Sequence, residues 1–231
     1  MKLYHDLTQC RFLCRVNRFI AKCLVDGEET TVHVKNTGRL RELLLPGAAC
    51  WLEKSGNPAR KTLYDLVAVE KDGRIVNIDS QAPNLIAREW VERGGWGSVS
   101  DVQSEFTHGD SRFDLTYLRD GTRGLIEVKG VTLFDETGLA CFPDAPTSRG
   151  AKHLHGLIKA AQSGMEAGVC FVIMREDAIG LIPNDRTDPA FSAALREARE
   201  AGVRIVAARC RVTADSAEIV GTAPVLLDGL S

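Results

Sequence analysis

At Pro83 the sequence changes texture, and that break constrains the fold more than any other feature. Before it, short β-rich runs alternate with turn residues. The runs are Phe12–Val16, Phe19–Val25, Thr30–Val34, Ala48–Leu52, Tyr64–Glu70 and Arg74–Ile78. Asp26-Gly27, Pro46-Gly47, Ser55-Gly56-Asn57-Pro58 and Asp72-Gly73 punctuate them. So many short strands in so little chain predict a small barrel of the OB type. Asn36–Leu44 reads as a short helix between strands.

After Pro83, helical periodicity appears over Asn84–Arg93 and stops at Gly94-Gly95. Three strands follow, Ser100–Thr107, Arg112–Leu118 and Gly124–Leu133, with Gly109 and Asp120-Gly121 as turns. An amphipathic helix spans Arg149–Ala167, closed by Gly168. Strand Val169–Met174, helix Pro189–Ala201 and strand Val203–Val212 complete the series. This order predicts a mixed sheet with helices on its faces. The expected class is α+β, with an OB-like β-barrel over 1–82 and an α/β domain over 83–231.

Charge is unevenly placed. Residues 1–80 carry 13 Lys and Arg against 10 Asp and Glu, and residues 81–231 carry 16 against 21, which points the first part toward an anion. The seven cysteines form no CxxC pair and several lie in apolar strands, so neither a disulfide framework nor a zinc site is expected. Reduced thiols fit a cytoplasmic location. The chain begins without a signal-peptide pattern, and no apolar run reaches the ~20 residues of a membrane span, so no membrane partner is expected.

The chemistry concentrates in Gly124-Leu125-Ile126-Glu127-Val128-Lys129-Gly130. Side chains in a strand alternate faces, so Glu127 and Lys129 share one face and Ile126 and Val128 the other. If Asp120-Gly121 turns the preceding strand against it, Asp114 can face Glu127. Two carboxylates held close repel unless a cation or proton neutralises them. Mg²⁺ takes one or two carboxylates and leaves room for water and phosphate oxygens. Lys129 could then orient a water or offset phosphate charge. The same alternation also describes any half-exposed antiparallel strand.

The order Glu89 on a helix, Asp114 on a second strand, then Glu127-Val128-Lys129 resembles the PD-(D/E)XK nuclease superfamily. Phe113 stands where that motif has proline. The resemblance implies a restriction-endonuclease-like domain, Mg²⁺ or Mn²⁺ held by Asp114, Glu127 and Glu89, and a water assisted by Lys129.

A second resemblance spans nearly the whole chain. It rests on His33–Arg39, Ser104-Glu105-Phe106, Ser111–Asp114, Ile126–Lys129 and the long Phe142–Leu154 motif. These segments are similar to the sugar fermentation stimulation protein A family, although Lys35 replaces the proline usual before Asn36-Thr37-Gly38. That similarity implies an OB-like domain, a nuclease-like domain and largely nonspecific DNA binding. Either a metal-dependent deoxyribonuclease or a non-catalytic regulator of sugar (maltose) metabolism is compatible with it.

Further candidates follow. Thr147 or Ser148 can cap a helix whose N-terminus carries Arg149, Lys152 and His153, a phosphate-attracting arrangement. A capped surface helix with ordinary charges reads the same way, and the family resemblance favours DNA contact. Asp144, Thr147, Arg112 and Glu105 are accessory candidates. In the barrel, Arg11, Arg15, Arg18, Lys22, Lys35, Arg39, Arg60 and Lys61 give a basic surface. Phe19 and Tyr64 are either stacking platforms or core. An OB-like domain also admits RNA, and the sequence is compatible with an oligomer.

Overall fold

The computed structural model describes residues 1–57 and 59–228. Pro58 of the expected Ser55–Pro58 turn, and the last three residues of the expected second domain, lie outside the described residues. The chain divides into two compact units. Unit 1 comprises Met1–Ala82 with Arg211–Glu218, and unit 2 comprises Pro83–Cys210 with the chain from Ile219 onward.

Unit 1 contains β1 (Leu7–Arg15), β2 (Ile20–Val25), β3 (Glu28–Val34), β4 (Ala49–Lys54), β5 (Tyr64–Lys71) and β6 (Arg74–Asn77). Their order is β3-β2-β1-β4-β5-β6, and β3 also pairs with β5, closing a five-stranded OB barrel. Asp26-Gly27 and Asp72-Gly73 supply the successive positive φ angles that two-residue hairpins need. Phe12, Val32, Leu52, Leu66 and Val69 fill the interior.

Closure is parallel and short, with His33 opposite Asp65 and Val34 opposite Leu66. Side chains reinforce it. The Arg60 guanidinium grips Asp65 with two bonds of 2.8 and 3.0 Å, and the His33 ring lies 2.8 Å from the same carboxylate. Burial alone would push Asp65 up, but Arg60 and His33 outweigh it and hold the carboxyl below its ordinary range.

Asn36–Leu44 is not the expected helix; it runs as bends and turns. Asn36 folds its side chain onto the Gly38 N–H at 2.7 Å, a local turn that competes with helix. Its amide also donates to the Ile78 carbonyl, and Leu40 has φ of +49°. The Arg15 guanidinium gathers the carbonyls of Asn36, Gly38 and Arg39, groups a helix would have bonded within itself, together with that of Arg18 between β1 and β2.

Unit 2 opens with α1 (Ala82–Glu92) and strands β7 (Ser100–His108), β8 (Ser111–Arg119) and β9 (Thr122–Val131). Then come β10 (Leu133–Phe134), β11 (Leu139–Phe142), α2 (Ser148–Gln162), β12 (Glu166–Ile173), β13 (Gly180–Pro183), α3 (Pro189–Glu200), β14 (Arg204–Val212) and β15 (Ala217–Ala223), the end of β14 and the start of β15 falling in the Arg211–Glu218 stretch of unit 1. The main sheet has the order β15-β14-β12-β9-β8-β7. β7, β8 and β9 pair antiparallel, whereas β9–β12 and β12–β14 are parallel. A small sheet, β10-β11-β13, stands apart.

Leu154, Leu157 and Ala160 of α2 and Phe191, Ala194 and Leu195 of α3 pack with Leu125, Val169 and Phe171 of the sheet. Gly164, at φ +88°, follows the end of α2. The expected stop at Gly168 instead lies inside β12, where a Cβ would sit 2.5 Å from Trp96. Asp188 fastens both helices: one oxygen caps α3 at the Phe191 N–H, and the other accepts the N–H of Thr147, the cap of α2.

Candidate metal centre on the hairpin of β8 and β9

β9 lies between β8 and β12, so both its edges are paired, and the buried run through its middle shows that both its faces are covered there as well. Leu125, Ile126, Glu127 and Val128 are all buried, and Glu127 is only 2% exposed. A half-exposed strand is therefore ruled out for this segment. A carboxylate so deep needs charge-matched partners.

Glu127 has two. Its Oε1 receives both the Lys129 ammonium and Nδ1 of His153, which reaches in from α2. Burial would raise its pKa, but His153 and Lys129 outweigh that and lower it. The other oxygen, Oε2, is buried with no hydrogen-bond partner among the described residues.

Asp114 stands on β8 where the β8–β9 ladder ends, the last register pair being Leu115 with Ile126. Its Oδ2 accepts the Val128 backbone N–H at 2.8 Å, and its Oδ1 accepts Asn84 Nδ2 at 2.9 Å. Burial, and then the neighbouring Glu127 charge, push the Asp114 pKa up. A carboxylate disfavoured by its neighbour's charge, and a buried oxygen unpartnered among the described residues, fit a hard divalent cation.

The expected three-carboxylate set is not assembled. Among the described residues, no three His, Cys, Asp or Glu side chains converge as a metal cluster. Glu89 pairs with Arg93, one turn on and just past the end of α1, at 3.1 Å. The same helix contributes Asn84 instead, near its N-terminal end.

His153, expected as a DNA contact, is buried on the stripe of α2 that also carries Gly150, Leu154, Leu157 and Ala160. That stripe at helical spacing was the sequence signal for an inward role. Arg149 and Lys152 are exposed on the first turns of α2, and Thr147 caps the helix through the Gly150 N–H at 3.0 Å. Glu105 and Arg112 form an ion pair of 3.2 Å across β7 and β8, and Asp144 is half-buried before α2.

In unit 1, three expected DNA-facing cations have internal roles. Arg15 holds loop carbonyls, Lys35 pairs with Asp79 at 2.6 Å, and Arg60 grips Asp65. Arg18, Arg39 and Lys61 are exposed. Phe19 is half-exposed and stacks on His33, with ring centroids 6.5 Å apart, while Tyr64 is half-buried.

Comparison with known proteins matches two family models. Residues 81–216 match "Sugar fermentation stimulation protein RE domain", and residues 13–78 match "SfsA N-terminal OB domain". A sugar fermentation stimulation protein homolog of Desulfitobacterium hafniense is 48% identical over 216 residues, covering 93% of this chain and 94% of the relative. One from Acetivibrio thermocellus is 45% identical, covering 98% and 100%. Among solved structures, "The structure of Pyrococcus Furiosus SfsA in complex with Ca2+" superposes with a TM-score of 0.88 at 29% identity, covering 98% of this chain and 99% of that one.

Proposed function

This chain belongs to the sugar fermentation stimulation protein family, and on that premise we propose a DNA-binding protein whose second unit hydrolyses phosphodiesters with Mg²⁺ or Mn²⁺. The observation that carries the reading is Glu127 Oε2, a buried carboxylate oxygen without a hydrogen-bond partner among the described residues, in a site shared with Asp114. The relative from Pyrococcus furiosus, in complex with Ca²⁺, lends support, because Ca²⁺ and Mg²⁺ are both hard cations that choose oxygen ligands.

Asp114 and Glu127 would hold the cation. Once bound, it would activate water and offset charge on the phosphate. Asn84 and the Val128 N–H orient Asp114. Lys129 is held on Glu127 Oε1, from where its ammonium can orient an attacking water. Arg149 and Lys152, at the positive end of α2, would engage phosphates, as would Arg18, Arg39 and Lys61 in the barrel. Such contacts carry no sequence information, so binding is largely nonspecific.

Incubating single-stranded, duplex and branched DNA with Mg²⁺ or Mn²⁺ tests this reading, beside Asp114→Ala and Lys129→Ala. Metal-dependent products from the wild type alone are expected. Absence of products from every substrate, or equal products from the variants, would overturn cleavage.

A second reading, binding without turnover, draws support from Glu89 being paired with Arg93 and from the Lys129 ammonium being held on Glu127. It fits a regulatory role in sugar metabolism. RNA competition at fixed salt separates an RNA partner from a DNA one, and sedimentation reads the oligomeric state.

A further inference from the structure

We infer that His153 is a positioning residue which, together with Arg149, fixes the oxygen of Glu127 that faces a divalent cation. The inference rests on the proposed reading of Asp114 and Glu127 as the cation's ligands.

The imidazole is held on three sides. The Phe113 ring meets it edge-on, with centroids 6.1 Å apart at 60°. Arg149 Nε lies 3.4 Å from Nε2, one helical turn away on α2. Nδ1 lies against Glu127 Oε1. An arginine side chain only donates, so Nε2 is the acceptor of that pair. With Nε2 accepting, the ring proton lies on Nδ1 and points at Oε1.

Oε1 thus takes two donors, Lys129 and His153, while Oε2 takes none among the described residues. Lys129 has a long, flexible stem and could serve either oxygen. His153 cannot, because α2 is anchored by the Thr147 cap and by Asp188. His153 therefore sets the carboxylate's rotation, leaving Glu127 a single-oxygen ligand. It also connects Arg149, an exposed candidate phosphate contact, to a metal ligand through one ring.

Loss of a hydrogen bond that orients a metal ligand weakens metal affinity by about 10- to 100-fold. The probe is Mn²⁺ alone, titrated by calorimetry into the full-length protein, with the unfolding temperature as a check on folding. His153→Ala should bind Mn²⁺ roughly 10-fold or more weaker than wild type. His153→Asn carries an amide N–H near the Nδ1 position and should recover much of the affinity. His153→Gln places its amide near the Nε2 position and should not.

Wild-type affinity in His153→Ala, or Asn binding no better than Gln, would overturn the inference while leaving the cation site standing. If His153→Ala does not fold, the Asn and Gln pair decides alone. If the wild type binds no Mn²⁺, the cation reading and this inference both fall.

Discussion

Asp114 accepts the backbone N–H of Val128 at 2.8 Å, so a side chain takes over where the β8–β9 ladder stops. The carboxylate is thereby both a structural cap and a candidate ligand. Its neighbour Glu127 disfavours its charge. Asp114→Asn keeps an acceptor for Val128 and removes the repulsion. In a metal chelator, its unfolding temperature is expected to equal or exceed that of the wild type, with cleavage lost. Asp114→Ala leaves the Val128 N–H unmatched and should cost about 1–3 kcal/mol. Thermal unfolding in chelator, with Asn less stable than Ala, would contradict this account.

The barrel seam predicts an acid limb. Asp65 is held below the ordinary carboxylate range, because Arg60 and His33 outweigh the effect of burial. Its contribution is present above the unfolded value of about 3.9 and is lost as pH falls through the lower folded value. Arg60→Ala should destabilise unit 1 by about 3 kcal/mol at neutral pH, because a buried carboxylate loses its main partner. It should also flatten the loss below about pH 4. Urea unfolding at neutral and acid pH measures both, and an unchanged acid limb would reject the seam as its source.

Asp188 offers a test of helix anchoring. Replacement by Ala removes the α3 cap and the bond to the Thr147 N–H together. A single lost cap costs about 0.5–2 kcal/mol. Asp188→Ala is therefore expected to exceed Thr147→Ala, which loses only the Gly150 contact. Denaturant midpoints for the two variants decide the order.

DNA affinity should fall steeply with salt. Each phosphate contact removed lowers the slope of log affinity against log salt by about 0.9 on duplex DNA. Arg149→Ala and Lys152→Ala should each do so, equally for unrelated sequences. Lys35→Ala should leave the slope alone, because Lys35 is paired with Asp79. Fluorescence anisotropy across a salt series reads these slopes.

The break at Pro83, the Asp-Gly hairpins and the charged pair within β9 were legible because each obeys a local period or turn chemistry. The Asn36–Leu44 segment was not, because its conformation depends on Arg15 reaching across from β1. The short strands β11 and β13 carry too few residues to show a period. Within the candidate site, Asp114, Glu127 and Lys129 come from adjacent strands, and spacing could pair them. Asn84 and His153 arrive from helices remote in sequence, and only the buried stripe of α2 hinted at the second.

The cysteines give the protein a pair of internal clocks. Cys10, Cys23 and Cys50 are sealed inside unit 1, while Cys141, Cys170 and Cys210 are sealed inside unit 2. Burial pushes Cys170 up to about 12, so it holds almost no thiolate at neutral pH. Alkylation of either trio must wait for its own unit to open. Exposed Cys14 reacts at once and marks time zero. Pulse alkylation read by peptide mass would thus follow the breathing of the two units separately, in the unaltered chain.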